Sequence, residues 1–198
     1  MDGAGHAWLV AGLGNPGERY AGTRHNIGRR VVERLAERLE ARFRKVRFIA
    51  LEVAEARSGE ALLFLARPLT FMNVSGPPLA SFARKRGIPV DRVIGCHDEI
   101  DLALGALKVK KGGSTAGHHG LDSMAEAFRG PGFYRVRLGV GRPLGRKDPA
   151  AYVLEPFSKA EREEAELLVE RGADAVLALV TEGLAGAQDR YNRSRPRE

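Results

Sequence analysis

At 198 residues with 43% hydrophobic content, the chain carries enough apolar material for one domain with a sizeable core, and no Pro/Ser-rich linker divides it. The start "MDGAGHAWLVAGL" lacks the basic opening and long apolar stretch of a secretory signal, and no run approaches a membrane span, so a soluble cytoplasmic protein is expected. A single cysteine, Cys96, excludes an internal disulfide and a Cys-rich zinc site, while a formal net charge of +7 favours an acidic partner, nucleic acid first among them.

In chain order, "AWLVAGL" reads as a buried strand that runs into the turn "GNPG". The segment "NIGRRVVERLAERL" places Ile27, Val31, Val32, Leu35 and Leu39 at helical spacing, with Arg and Glu interleaved as on a solvated face. "RFIALEVAEA" and "EALLFLA" flank Ser58 and Gly59 as an antiparallel hairpin. Pro77 and Pro78 suit a first helical turn and Gly87 a stop, which predicts a helix over 77–87. "RVIGCHD", "ALKVKK" and "RVRLGVG" read as further strands, and "AGHHGLDSMAEAF" as a loop entering a helix. "SKAE" at 158–161 is a capping box for a C-terminal helix that Gly172 is expected to end, and the basic tail 193–198 is expected to fray. Strands alternating with helices, plus one hairpin, predict an α/β class: a single domain over 1–198, with a mixed twisted β-sheet flanked by helices.

Four segments invite chemistry. "GLGNPG" has the formal G-x-G-x-x-G spacing at Gly12, Gly14 and Gly17. Pro16 removes an N–H from the loop, however, and the helix opens about ten residues late near Asn26, so a dinucleotide pyrophosphate would have no helix N-terminus to sit on. A turn built from Asn-Pro-Gly explains the glycines without explaining Asn15. "TRHNIG" sets His25 just before a helix, where the positive end of the dipole favours the neutral imidazole, a usable general base; the alternative is an ordinary surface or capping histidine. "CHDEIDL" sets Asp98 just past an apolar strand, where open α/β sheets gather ligands, although Glu99 and Asp101 compete for the role. "KGGSTAGHHGLDSM" carries His118 and His119, which with His97 and His25 suggest a metal; adjacent loop histidines lack the i, i+4 geometry of a helical pair, and no metal is expected. In "TFMNVSGPPL", Asn73 closes an apolar run. An amide at the end of such a run must find partners or lose stability, so Asn73 is expected either to cap a turn or to meet a substrate.

Taken together, "GLGNPGERYAGTRHNIG", "RPLTFMNVSG", "HDEIDL" and "GGSTAGHHGL" resemble, in order and spacing, the bacterial peptidyl-tRNA hydrolase family, over about residues 8–192. The resemblance implies a monomeric α/β hydrolase, free of cofactor and metal, that cleaves the ester between a peptide and the 3′ end of tRNA and so returns tRNA to translation. It puts the catalytic histidine on His25, its aspartate partner on Asp98, and on Asn73 an amide that holds the attacking water. It further implies that Asn15 reads the peptide and selects N-blocked aminoacyl groups, and that Tyr20 and Phe71 line the site with the loop histidines His118 and His119. Lys108, Lys110 and Arg137 fall on the basic positions near tRNA phosphates, with Lys110 and Arg137 the clamp on the 5′ phosphate. One departure is plain: the family's usual Gly-His-Asn-Gly is here Gly117-His118-His119-Gly120, so an imidazole replaces an amide. A catalytically inactive RNA-binding module on the same fold is the rival reading, and retention of His25, Asp98 and Asn73 argues against it.

Overall fold

The structure, a computed structural model, describes residues 7–143 and 145–193. Its frame is a seven-stranded mixed sheet built from β1 (Ala7–Gly12), β2 (Arg44–Lys45), β3 (Leu51–Ser58), β4 (Ala61–Pro68), β5 (Val93–Glu99), β6 (Leu107–Lys111) and β7 (Tyr134–Gly139), in the order β2-β3-β4-β1-β5-β7-β6. β1, β4, β5 and β7 run parallel, and the flanking strands β2–β3 and β6 pair antiparallel. The central strands are covered on both faces, which is why β1 and β5 read as nearly unbroken apolar runs.

Alternation along the strands divides the apolar side chains between two cores. Val10, Leu63, Leu65, Ile94, Cys96, Val136 and Leu138 face helices α1 (Ile27–Arg38) and α5 (Arg162–Tyr191). Leu9, Ala11, Leu13, Phe64, Ala66 and Phe133 face α2 (Gly76–Arg86) and α3 (His119–Ala127). Buried Ile27, Val31, Val32, Leu35 and Ala36 form the core stripe of α1, each large side chain contributing about 1.5–3 kcal/mol by leaving water. Its arginines form a ladder across to α5: Arg30 to Glu166, Arg34 to Glu170, and Arg38 to Asp174 at 2.8 Å.

Helix α2 begins at Gly76 and stops at Gly87, whose φ of 66° suits glycine, as the prolines and that glycine suggested. Glu161 accepts the Ser158 N–H at 2.7 Å, one half of the expected capping box, and α5 starts at Arg162. The expected stop at Gly172 does not occur. Gly172 is buried within the helix, where a Cβ would stand 2.8 Å from a Val31 methyl and 2.9 Å from a Leu138 methyl, so the glycine permits close packing of α5. The break falls later, at Gly183 (φ 75°, ψ −176°). Strand β2 and helix α4 (Pro149–Val153) are additional to the expected elements. Of the tail, residues 194–198 lie outside the described residues. No helix among the described residues is long and apolar enough to cross a membrane.

Candidate active site

The parallel strands point their C-terminal ends at one edge of the sheet, and the chemistry gathers there. On β5 the alternate residues Ile94 and Cys96 join the core beneath α1, so Asp98 comes out on the same face. Helix α1 crosses that strand at near contact: a Cβ on Gly28 would lie 2.0 Å from the Cys96 carbonyl oxygen, so only glycine fits. The close crossing brings His25, in a 3₁₀ turn (Arg24–Asn26) leading into α1, onto Asp98, with Nδ1 2.9 Å from Oδ1. Asp98 is 4% exposed.

A second imidazole reaches the same oxygen. His118 Nε2 stands 2.9 Å from Asp98 Oδ1, while His118 Nδ1 accepts the N–H groups of Gly120 and Leu121 at 3.2 and 3.3 Å as the N-cap of α3. Accepting those amides fixes the tautomer: the proton is on Nε2, which donates to Asp98. The carboxylate therefore receives an N–H from His25 on one side and from His118 on the other. Burial pushes the Asp98 carboxyl up, but the His118 and His25 imidazoles outweigh that and hold it below the usual carboxylate range, so it stays ionised. His97, 1% exposed, donates Nδ1–H to the Asp98 carbonyl at 2.7 Å, and burial, helped by neighbouring His118, pushes its pKa down to about 3.

His25, Asp98 and His118 offer three metal-ligating atoms within 4.8 Å of one another. They suit a metal poorly as arranged, because a neutral His118 carrying its proton on Nε2 has no lone pair there to give. Cys96 is buried and burial raises its thiol pKa, which leaves it inert.

Asn15 is buried at the cleft, and its Oδ1 accepts the Met72 N–H at 2.8 Å. With the oxygen committed, Nδ2 is the donor that Asn15 can offer the cleft. Asn26, absent from the expected site, holds Asn15 from behind: its Oδ1 accepts the Asn15 N–H (2.8 Å) and its Nδ2 donates to the Asn15 carbonyl (2.9 Å). Asn73, in the 3₁₀ turn Met72–Val74, is exposed in the cleft wall, so burial imposes no need for a partner, and a turn-capping bond is not formed. Phe71, 53% exposed, lines the same wall, and Tyr20 packs edge-on behind it with ring centroids 6.3 Å apart. The cleft encloses about 780 Å³, and Val153 and Leu154 close its far side. That side is anchored by Arg24, which sequence reasoning passed over. Its guanidinium binds Glu161 at 2.7 Å, donates to the Glu155 and Pro156 carbonyls, and stacks 4.1 Å from the Tyr152 ring centre.

His119 opens α3 at the cleft rim with its side chain 75% exposed, 3.9 Å from Asp122. The cationic residues stand beside the cleft on the outer strands. Register sets Lys108 opposite Arg137 and Lys110 opposite Arg135 on one face of β6 and β7. Arg137 is engaged with Glu99 at 2.9 Å, whereas buried Arg135 holds the Gly113 and Ser114 carbonyls, both at 2.6 Å, and so fixes the loop leading to His118. Burial and the Arg135 and Arg137 charges lower the Lys110 pKa.

Comparison with known proteins gives one consistent result. The family model described as peptidyl-tRNA hydrolase matches residues 9–198. The peptidyl-tRNA hydrolase of Frankia casuarinae is 50% identical over 185 residues, 93% of each chain, and that of Streptomyces coelicolor 46% identical over 194 residues, 96% of each. The crystal structure of peptidyl-tRNA hydrolase from Acinetobacter baumannii superposes with a TM-score of 0.87 at 29% identity, covering 97% of both chains.

Proposed function

Because the chain belongs to the peptidyl-tRNA hydrolase family, we propose that His25 and Asp98 are the base and its partner in hydrolysis of the peptidyl-tRNA ester. The enzyme splits peptidyl-tRNA into peptide and free tRNA. The observation that carries the assignment of roles is the 2.9 Å contact of His25 Nδ1 with an ionised, buried Asp98 at the wall of the cleft.

With Nδ1–H donated to Asp98, His25 keeps the Nε2 lone pair for a water in the cleft. Nε2 takes a proton as that water attacks the ester carbonyl, and Asp98 stabilises the imidazolium that forms. The same proton passes to the departing 3′-terminal ribose oxygen when the tetrahedral intermediate collapses. Amide donors on the wall, Asn73 and the Nδ2 of Asn15, hold the water and the developing oxyanion. Asn15 favours a substrate whose α-nitrogen is acylated, because the acyl carbonyl oxygen can accept from Nδ2, whereas a free ammonium offers only donors. His118 acts through Asp98 as a positioning residue. Phe71, with Tyr20 behind it, and His119 at the rim bound the substrate, and Lys108, Lys110 and Arg137 meet tRNA phosphates, Arg137 by exchanging Glu99 for phosphate. No cofactor enters these steps. In this reading the enzyme acts as a monomer, and in the cytoplasm, where translation leaves peptidyl-tRNA.

The test is hydrolysis of N-acetylaminoacyl-tRNA beside unblocked aminoacyl-tRNA by wild type and Asn15→Asp. Wild type should cleave the first and spare the second. Asn15→Asp keeps the acceptor for Met72 but loses the donor, and should lose discrimination; unchanged discrimination would remove Asn15 from the reading.

A further inference from the structure

At the opposite edge of the sheet from β6 lies a basic surface that the hydrolytic reaction does not use. Five strands separate β2 from β6, which at about 4.8 Å per spacing sets the two edges roughly 30 Å apart. Here Arg42, Arg44 and Lys45 on the β2 segment meet Arg86 at the end of α2 around a groove of about 560 Å³ floored by Val53, Phe64 and Phe82. The groove shares no lining residue with the catalytic cleft. Two carboxylates, Glu40 and Glu55, also line it.

The cations here differ from the other arginines nearby. Arg29, Arg30, Arg34, Arg38 and Arg67 each pair with a carboxylate. Among the described residues, Arg42, Arg44, Lys45, Arg47, Arg84, Lys85 and Arg86 have no carboxylate within ion-pair distance; all seven are exposed to water, and Arg42, Arg44, Lys45 and Arg86 line the groove. Two structural explanations account for part of this. Charges on a short edge strand prevent edge-to-edge pairing, which covers Arg44 and Lys45. Cations suit a helix C-terminus, which covers Arg84, Lys85 and Arg86.

Neither explanation covers Phe48. It is 88% exposed, the most exposed large apolar side chain among the described residues, and its φ of 64° is a left-handed conformation that a bulky residue adopts at a cost. The turn around it is closed by the Ile49 N–H donating to the Val46 carbonyl, and the Arg47 guanidinium lies 4.6 Å over the Phe48 ring. A solvent-facing aromatic face with an arginine stacked on it, beside unpaired cations, is the arrangement that takes a nucleobase and the phosphates next to it. An acidic protein segment would use the charges but has no use for the ring.

We propose that the β2 edge is a second RNA-binding surface, separate from the catalytic cleft, on which an unpaired RNA segment stacks a base on Phe48 and lays its phosphates against Arg42, Arg44 and Lys45. The surface operates whether or not the roles given to His25 and Asp98 hold.

The experiment is fluorescence anisotropy with a labelled ten-nucleotide oligouridylate, which carries no ester and so reports nothing of catalysis. It compares the full-length wild type with Arg42→Gln/Arg44→Gln/Lys45→Gln, Phe48→Ala and Lys108→Gln/Lys110→Gln across a salt series. The β2 triple variant should bind at least tenfold more weakly at low salt and flatten the log K against log salt slope by about two, at roughly 0.7 per lost phosphate contact. Phe48→Ala should weaken binding about fivefold or more, and should lower the affinity for a deca-aspartate peptide not at all. All the substituted side chains are exposed or partly so, and thermal midpoints equal to wild type verify folding. Wild-type affinity in both β2-edge variants, or a loss confined to the Lys108/Lys110 variant, would overturn the proposal. Deca-aspartate binding as tight as the oligouridylate, lost equally in the triple variant with Phe48→Ala silent, would overturn it in favour of an acidic protein partner.

Discussion

His118 does two jobs that substitution can separate. Its Nδ1 accepts two amide N–H groups of α3 at 3.2 and 3.3 Å, near the long limit for such bonds, so the cap contributes at the low end of its range, about 0.5–1 kcal/mol. Its Nε2–H donates to an ionised carboxylate at 2.9 Å, a charge-assisted bond with a net value of about 1.5–3 kcal/mol. Asparagine at 118 retains a good cap, but its shorter side chain does not reach Asp98; alanine loses both contacts. If the hold on Asp98 matters in the transition state, His118→Asn and His118→Ala should both lower kcat by roughly 10- to 150-fold with KM little changed. Only the alanine variant should also lose about 1–4 °C in Tm relative to the asparagine variant, the cap energy spread over a chain of this size. Single-turnover hydrolysis of N-acetylaminoacyl-tRNA, together with thermal denaturation, measures both. A kcat for His118→Asn within twofold of wild type would refute the reasoning and leave His118 as a cap alone.

Lys110→Ala and Arg137→Ala should raise KM for full-length substrate and flatten its salt dependence, with chemistry spared. The Arg137 effect should be the smaller, because Glu99 must first be displaced from it, and equal losses on a short substrate lacking the 5′ phosphate would show that neither residue clamps phosphate. His97 gives a pH signature in stability. Its folded pKa lies below the unfolded value, so the folded state binds fewer protons; the stabilisation is full above about pH 6.5 and is lost as pH falls toward about 3, by at most about 5 kcal/mol. Asp98, whose folded pKa is also lowered, adds its loss only below its unfolded value near 4, so a denaturant midpoint that falls between pH 6.5 and 4 in wild type but not in His97→Leu isolates the histidine. His119→Asn, which restores the family's usual amide at an exposed rim position, should leave the kcat/KM against pH profile nearly superimposable on wild type, because the side chain bounds the substrate without joining the proton transfer; a shallower acid limb in that variant would show that it takes part in the chemistry.

The strongly periodic elements were legible in the sequence: β1, α1, the β3–β4 hairpin and the α2 helix with its Gly87 stop follow from alternation, helical spacing and turn chemistry. So were His25 before a helix and Asp98 at the end of a buried strand, since both are positions along the chain. Their pairing came through the family resemblance and not from the local pattern, because it depends on how closely α1 crosses β5, a contact set by the missing Cβ of Gly28. His118 was legible as a loop histidine but not as the second donor to Asp98, which requires the loop to fold back, as the Arg135 hold on Gly113 and Ser114 makes it do. Gly172 misled because glycine inside a helical pattern signals either a stop or a close approach, and only the Val31 and Leu138 side chains across from it decide which. Strand β2 is two residues long and exposed, too short for any periodicity to mark.

The central claim is that His25, oriented by Asp98, removes the proton from the water that attacks the ester. The most direct measurement is single-turnover hydrolysis of N-acetylaminoacyl-tRNA by wild type and His25→Ala, with tRNA affinity determined for each in parallel. The account expects the rate to fall by roughly 10²- to 10⁴-fold while affinity is nearly unchanged, the usual contribution of a positioned general base. A variant that turned over at close to the wild-type rate, or one whose loss lay wholly in tRNA binding, would contradict it.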